Sequence, residues 1–264
     1  SVTLAVAPGE IHALMGENGA GKSTLIKILA GVVAPDTATI AIDGRQVSIE
    51  NPTAAHRLGL RFIHQELNVV PALSVAENIA MGQRYPTRGG LFVDWGRLNA
   101  LAEAALRTLG IAHIDPRERM ARLSVGDRML VKISAAFLSE AGAPARLYVM
   151  DEPTAALTRE ESEQLFRVLR GIRDAGNSVL YVSHRLDEVM ALCDRATVLR
   201  DGRAIDSGRL GDITHDDLVA MMIGRKVEDA YPVRTAAPLG EIAYQGRGLT
   251  VRKGEIAGIA GLSG

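Results

Sequence analysis

Apolar residues along the chain gather in short unbroken runs rather than in alternating patterns. "IHALM" (11–15), "RLYVM" (146–150), "SVLYVS" (178–183) and "ATVLR" (196–200) are of this kind. A run with no polar face suits a strand covered on both sides, as in a parallel sheet. Stretches with helical spacing separate most of them, at 22–30, 74–82, 94–109, 127–140, 159–174 and 185–192. Strands alternating with helices predict an α/β domain built on a parallel sheet. From about 66 to 140 the pattern is mostly helical, which predicts a helical subdomain inserted into that core. Residues 83–93, "QRYPTRGGLFV", read as a loop inside it. Asp94 reads as the N-cap of the following helix, and Trp95 as a packing residue.

The pattern breaks near residue 225. Residues 225–248 carry two prolines and mixed polarity and read as a linker, which makes 1–224 the first domain. Residues 249–264, "LTVRKGEIAGIAGLSG", then align without gaps on 4–19, "LAVAPGEIHALMGENG". Leu4, Val6, Gly9, Glu10, Ile11, Gly16 and Gly19 recur as Leu249, Val251, Gly254, Glu255, Ile256, Gly261 and Gly264. The second stretch reads as the truncated start of a repeat of the first domain.

The repeated stretch leads into the chemistry. "MGENGAGKST" (15–24) fits the pattern G-x-x-x-x-G-K-[ST], with Gly16, Gly21, Lys22 and Ser23 in the fixed places. Glycines let a loop fold so that successive N–H groups point at one anion, and the helix that follows adds its positive end. Gly16, Glu17, Asn18, Gly19, Ala20, Gly21, Lys22, Ser23 and Thr24 are therefore the expected phosphate cradle. Lys22 would reach the terminal phosphates, and Ser23 would offer a hydroxyl to Mg²⁺.

Two further runs end in polar groups. "RLYVMDEPT" places Asp151 and Glu152 at the C-terminal end of a buried strand, the end at which parallel α/β sheets bind ligands. Asp151 is the expected Mg²⁺ contact, and Glu152 the residue that polarises an attacking water. "YVSHRLDE" brings His184 to the same edge. Gln65, in "FIHQE", is a further candidate for a Mg²⁺ and water contact. His12, His56, His64, His113 and His215 read as structural.

Composition narrows the field. Lys and Arg number 30 against 31 Asp and Glu, a formal charge of −1, so there is no global electrostatic case for nucleic acid. A single cysteine, Cys193, excludes an intrachain disulfide and reads as a small buried residue. No run reaches the ~20 apolar residues of a membrane span, and no signal peptide is evident. The chain opens at Ser1 without methionine, and sequence is expected to precede it.

With these pieces in order, the chain resembles the ATP-binding cassette (ABC) ATPases over nearly its whole length. "GENGAGKS" is similar to their Walker A, "LYVMDE" to Walker B, Gln65 to the Q-loop and His184 to the switch histidine. "LSVGD" (123–127) is similar to the signature LSGGQ, with Ser124, Val125, Gly126 and Asp127 as its residues. "HQELNVVPALSVAENI" and "DEPTAALT" resemble the tandem-cassette ATPases of bacterial monosaccharide importers. The resemblance implies an α/β P-loop NTPase core with a parallel sheet and an inserted helical subdomain. It also implies ATP and Mg²⁺ as cofactors, and a place on the cytoplasmic face of the bacterial inner membrane. The implied partners are permease subunits, the second cassette of the same full-length chain and, indirectly, a periplasmic sugar-binding protein. In that family each ATP lies between Walker A of one cassette and the signature of the other. Ser124 and Gly126 would thus serve the opposite ATP, and the isolated chain would hydrolyse poorly. Residues 66–93 would meet a coupling helix of the permease.

Three positions depart from the pattern. Val125 replaces a signature glycine, as is common in the sugar subgroup. Asp127 stands where glutamine is usual and adds negative charge beside a nucleotide. Thr158 replaces an aspartate. The family's adenine-stacking aromatic is expected upstream of Ser1. A soluble tandem ABC protein acting on ribosomes is the alternative, but such proteins carry a long basic linker between cassettes. A regulator without turnover is a third reading, opposed by the presence of both Glu152 and His184.

Overall fold

The computed structural model describes residues 2–63, 69–138, 144–224, 240–246, 249–255 and 257. Its centre is a six-stranded sheet. The four apolar runs form β1 (Ile11–Met15), β7 (Leu147–Asp151), β8 (Ser178–Val182) and β9 (Arg195–Arg200). Two further strands join them, β4 (Leu60–Ile63) and β10 (Arg203–Arg209), in the order β10-β9-β1-β8-β7-β4. All neighbours pair in parallel except β10, which runs antiparallel to β9.

Alternation through the central strands divides the core. Ile11, Ala13, Met15, Tyr148, Met150, Val179 and Tyr181 pack on one side with α6 (Arg159–Asp174) and the helical subdomain. Leu14, Val149, Leu180, Val182 and Leu199 pack on the other with Ile26 of α1 (Lys22–Leu29). Both faces of β1 and β8 are covered, so every residue of those strands is buried. That is why they read as continuous apolar runs.

The sequence pattern does not single out β4 and β10. Strand β4 carries Arg61 in its interior. Its guanidinium is buried, and Nη1 donates to the carbonyls of His56 at 2.7 Å and Leu60 at 3.1 Å. Strand β10, "RAIDSGR", is a largely exposed edge strand with a bulge between Ala204 and Asp206, so it has no apolar run to show. An Asp-Gly turn joins it to β9, with Asp201 at φ 50° and Gly202 at φ 71°. Asp43 and Gly44 make the same turn between β2 (Ile40–Ile42) and β3 (Arg45–Val47). Helix α2 (Pro52–Arg57) precedes β4 and is capped by the Asn51 side chain.

The helical subdomain holds α3 (Val75–Ile79), α4 (Trp95–Thr108) and α5 (Val125–Ala135), with Leu98, Ala102, Leu106, Leu130 and Ile133 among its buried residues. Asp94 caps α4 as expected, accepting from the Arg97 N–H at 3.1 Å. The loop read at 83–93 contains a small hairpin of β5 (Thr87–Arg88) and β6 (Phe92–Val93), turned by Gly89 and Gly90. Trp95 is not a packing residue: it sits at the first position of α4 with about half its surface (53 %) exposed. Helices α7 (Leu186–Leu192) and α8 (His215–Ile223) flank β9, and Cys193 is buried as expected.

Contacts divide the chain at Arg225. In the second unit, β11 (Ile242–Gly246) pairs antiparallel with β12 (Leu249–Arg252), so the segment read as a linker contains a strand.

His12 lies fully buried in β1 between Glu10 Oε1 at 2.9 Å and Thr197 Oγ1 at 2.7 Å. Burial holds its pKa below the usual histidine value, against the pull of Glu10. An unfolded histidine takes up its proton near pH 6.5, and the folded one only at lower pH. This contribution to stability is therefore complete above about pH 6.5 and is lost as the pH falls towards the folded value. The urea midpoint is expected to drop between about pH 7.5 and 5.5, and His12→Leu to make that drop shallower. An unchanged slope in the variant would assign the acid sensitivity to other groups.

Candidate functional site

Register brings the chemistry to one edge. Leu14 pairs with Val182, Val182 with Asp151, and Met150 with Ile63. The segments leaving β1, β7, β8 and β4 therefore start side by side. The first carries Gly16, the second Glu152 and the third His184. The fourth leads to Gln65 and His64, which lie outside the described residues.

The loop after β1 turns on three glycines with positive φ: Gly16 at 149°, Gly19 at 85° and Gly21 at 102°. Gly16 is buried against β9, and a Cβ there would lie 2.3 Å from the Leu199 carbonyl oxygen. Gly21 opens α1 in the left-handed conformation, without a side-chain cap. The hairpin after β9 backs the loop, the Gly202 N–H donating to the Ala20 carbonyl at 3.1 Å. Glu17, Asn18 and Gly19 are exposed at its rim, as are Ser23 and Thr24 at the start of α1. Lys22 is buried, and its Nζ donates to the carbonyls of Gly16 at 2.7 Å and Glu17 at 3.0 Å. Burial lowers its pKa, and the carboxylates of Glu152 and Asp151 oppose that shift. An ammonium at the mouth of a glycine loop, with two carboxylates acting on it, fits an anion carrying a cation of its own.

Asp151 is the last residue of β7 and half-buried. Glu152 follows with φ 45°, a left-handed conformation unusual for a residue with a Cβ. Its N–H donates to the Val182 carbonyl at 2.9 Å, which ties the turn to the end of β8. His184 Nδ1 lies 3.0 Å from Glu152 Oε1. The histidine is the more exposed partner, with 55 % of its side chain accessible against 22 % for the glutamate. Beneath this pair lies a buried network. Thr154 Oγ1 donates to Glu188 Oε2 at 2.6 Å, and Tyr181 OH to the same oxygen at 2.7 Å. Arg185 closes the network with an ion pair to Glu188. Glu188 thereby joins the turn after Glu152 to the strand and helix that present His184.

Ser124 to Asp127 form a second cluster. Ser124 caps α5, accepting from the Asp127 N–H at 3.1 Å. The Gly126 N–H donates to Glu161 Oε1 at 3.0 Å, and a Cβ on Gly126 would strike the Glu161 side chain at 2.6 Å. The other oxygen of Glu161 accepts from the Thr158 N–H at 3.0 Å, within the capping box that opens α6. These contacts, and a bond from the Ser124 hydroxyl, hold the Glu161 carboxyl below its usual range, the Thr158 bond contributing most. Val125 is exposed. Asp127 Oδ1 lies 2.7 Å from His113 Nε2. His113, read as structural, is thus a partner of Asp127. Among the described residues, Glu161 and His113 are the side chains that reach this turn from other elements.

Lys22, Asp151, Glu152 and His184 are therefore brought together, and Ser124 to Asp127 stand as a separate cluster. Sequence reading missed Glu161, Glu188 and His113. Thr158 and Glu161 do fit a capping box in sequence, but the reach of Glu161 to Gly126 has no local signal. Glu188 is marked only by its place in the first turn of an apolar helix.

A parallel sheet with a glycine cradle opening a helix beside a strand-terminal Asp-Glu pair defines a P-loop nucleotide-binding protein. The chain belongs to the ABC transporter family, whose family model matches residues 1–155. Over its full length it is 47 % identical to a ribose import ATP-binding protein, RbsA 1, of Rubrobacter xylanophilus, covering 53 % of that protein. It is 42 % identical to an arabinose import ATP-binding protein, AraG, of Ralstonia nicotianae, again over the whole chain and 52 % of the relative. The chain thus spans about half the length of these curated relatives. In fold it is similar to an ATP-binding cassette of an ABC transporter in its ADP conformation. That likeness has a TM-score of 0.70 at 24 % identity and covers 85 % of this chain and 91 % of the other.

Lys22→Ala removes the cation of the cradle. A charge-assisted bond is worth about 1.5–3 kcal/mol, so ATP affinity measured by calorimetry is expected to fall roughly 10- to 100-fold. Affinity equal to wild type would refute the role of Lys22. Glu161→Ala deletes the capping box and is expected to cost about 1 kcal/mol in denaturant unfolding. Glu161→Gln keeps an acceptor at the same place and is expected to cost less. Equal losses would show that the cap is not what Glu161 contributes.

Proposed function

We propose that the chain is the first nucleotide-binding domain of an ATPase subunit that powers monosaccharide import by a bacterial ABC transporter, peripheral on the cytoplasmic face of the inner membrane. The observation that carries the reading is the Glu152–His184 pair at the mouth of the Lys22 cradle. The names of the ribose and arabinose relatives support the sugar.

The Gly16–Thr24 loop and Lys22 bind the phosphates of ATP. Ser23, Asp151 and Gln65 would hold Mg²⁺, which when bound offsets phosphate charge. Asp151 and the exposed Ser23 hydroxyl offer the hard oxygen donors that this ion prefers. Glu152 accepts the proton of the attacking water, and His184 holds that carboxylate in place through Nδ1. Ser124 to Asp127 serve the ATP of an opposing cassette, the second one of the full-length chain. Permease subunits are the membrane partners. The segment read as their contact carries exposed Met81, Leu91 and Phe92, with Trp95 just beyond it. Among the described residues no helix is long and apolar enough to cross a membrane.

Glu152→Gln tests the reading. Loss of a general base costs about 10²–10⁴ in rate. In the full-length transporter we expect ATP to bind as in wild type and phosphate release to fall by that factor. Turnover within about twofold of wild type would rule Glu152 out as the base.

A further inference from the structure

We infer that His113 is a positioning residue for the trans-acting face of this cassette. It holds and offsets the carboxylate of Asp127, so that the turn from Ser124 to Asp127 can receive the polyphosphate of an opposing nucleotide. The inference rests on the reading of that turn given above.

A helix start receives an anion through its free N–H groups and partial positive charge. Helix α5 offers the positive end, with Ser124 as its cap, while the N–H groups of Gly126 and Asp127 in its first turn are already held by Glu161 and Ser124. Asp127 lies in that same turn. A carboxylate there favours the helix itself but repels a second anion. The contact with His113 turns it aside, with Nε2 at 2.7 Å from Oδ1. A carboxylate oxygen accepts, so Nε2 is the donor whether the ring is neutral or charged, and protonation adds a full positive charge.

The ring is delivered by an anchored loop. Its neighbours Ile111 and Ile114 are 3 % and 5 % exposed. The Ile111 N–H donates to the Leu106 carbonyl at 3.0 Å. The carbonyls of Pro116 and Glu118 accept from the N–H groups of Ala76 and Val75, each at 2.9 Å. The loop is thus tied to α3 and α4 and presents His113 to α5. The ring is half-exposed, on the wall of a cleft of about 460 Å³ shared with α4.

Other charged groups nearby are engaged elsewhere. Asp115 and Arg117 of the same loop approach each other at 4.0 Å. Glu103 and Arg107 of α4 pair with each other. Arg128 directs its guanidinium to the carbonyls of Met120 and Ala121. Glu161, from α6, brings a further carboxylate to Gly126. Among the described residues, His113 is the basic side chain within ion-pair distance of Asp127.

The test uses the full two-cassette chain assembled with its permease subunits in proteoliposomes, reading phosphate release against ATP concentration. His113→Ala is expected to raise the ATP concentration for half-maximal turnover about fivefold. His113→Gln, which keeps a donor, should recover most of that loss. In an Asp127→Gln background, His113→Ala should shift it by less than about twofold. A shift of the same size in both backgrounds overturns the inference, because His113 would then act on the fold and not on the carboxylate. Should His113→Ala fail to assemble, His113→Leu, which removes the donor and keeps the bulk, is compared in the same two backgrounds, and an equal shift in both overturns the inference. Undiminished turnover with unchanged ATP dependence in Ser124→Ala would instead overturn the trans-acting reading of the turn.

Discussion

The row formed by Leu14, Val182 and Asp151 across three parallel strands sets the geometry of the site. Slipping any of these strands by one residue would exchange its two faces, taking Leu14 or Val182 out of one core layer and into the other. The hydrophobic contacts on both faces therefore fix the register. The register in turn fixes where Gly16, Glu152 and His184 leave the sheet. The placement of these residues is inherited from packing that lies well below the site.

Within that frame, local strain does the aiming. Glu152 turns through a left-handed conformation and is tethered to β8 by its own N–H. Gly16 presses against the Leu199 carbonyl, where no side chain fits. The hairpin after β9 is thus as much a wall of the cradle as the loop itself. Lys22, buried in that cradle, is held by two backbone carbonyls. A buried ammonium without such acceptors would be costly.

The two clusters are linked through α6. Glu161 bonds the Gly126 N–H with one oxygen and the Thr158 N–H with the other, so the start of α5 and the turn following Glu152 share a carboxylate. Glu188 plays a comparable part beneath Glu152 and His184, where Thr154, Tyr181 and Arg185 compensate its buried charge. Each of these glutamates ties separate loops together, as His113 ties its loop to Asp127.

Much of this was legible in the order of residues. Four strands announced themselves as apolar runs because both of their faces are buried. The cradle was legible because its glycines and Lys22 are close in sequence, and Asp151, Glu152 and His184 because each follows an apolar run directly. Strands β4 and β10 were not legible: one hides an arginine in its interior, and the other is an exposed edge whose pairing comes from β9. His113 and Asp127 meet across 14 residues, Thr154 and Glu188 across 34, and Gly126 and Glu161 across 35. Periodicity reports which face of an element is buried, not which distant element covers it. The sequence by itself therefore determined the elements and the chemistry at their ends. Only the tertiary structure decided which charges share a carboxylate or an imidazole, because those pairings depend on how helices pack across the sheet and the subdomain.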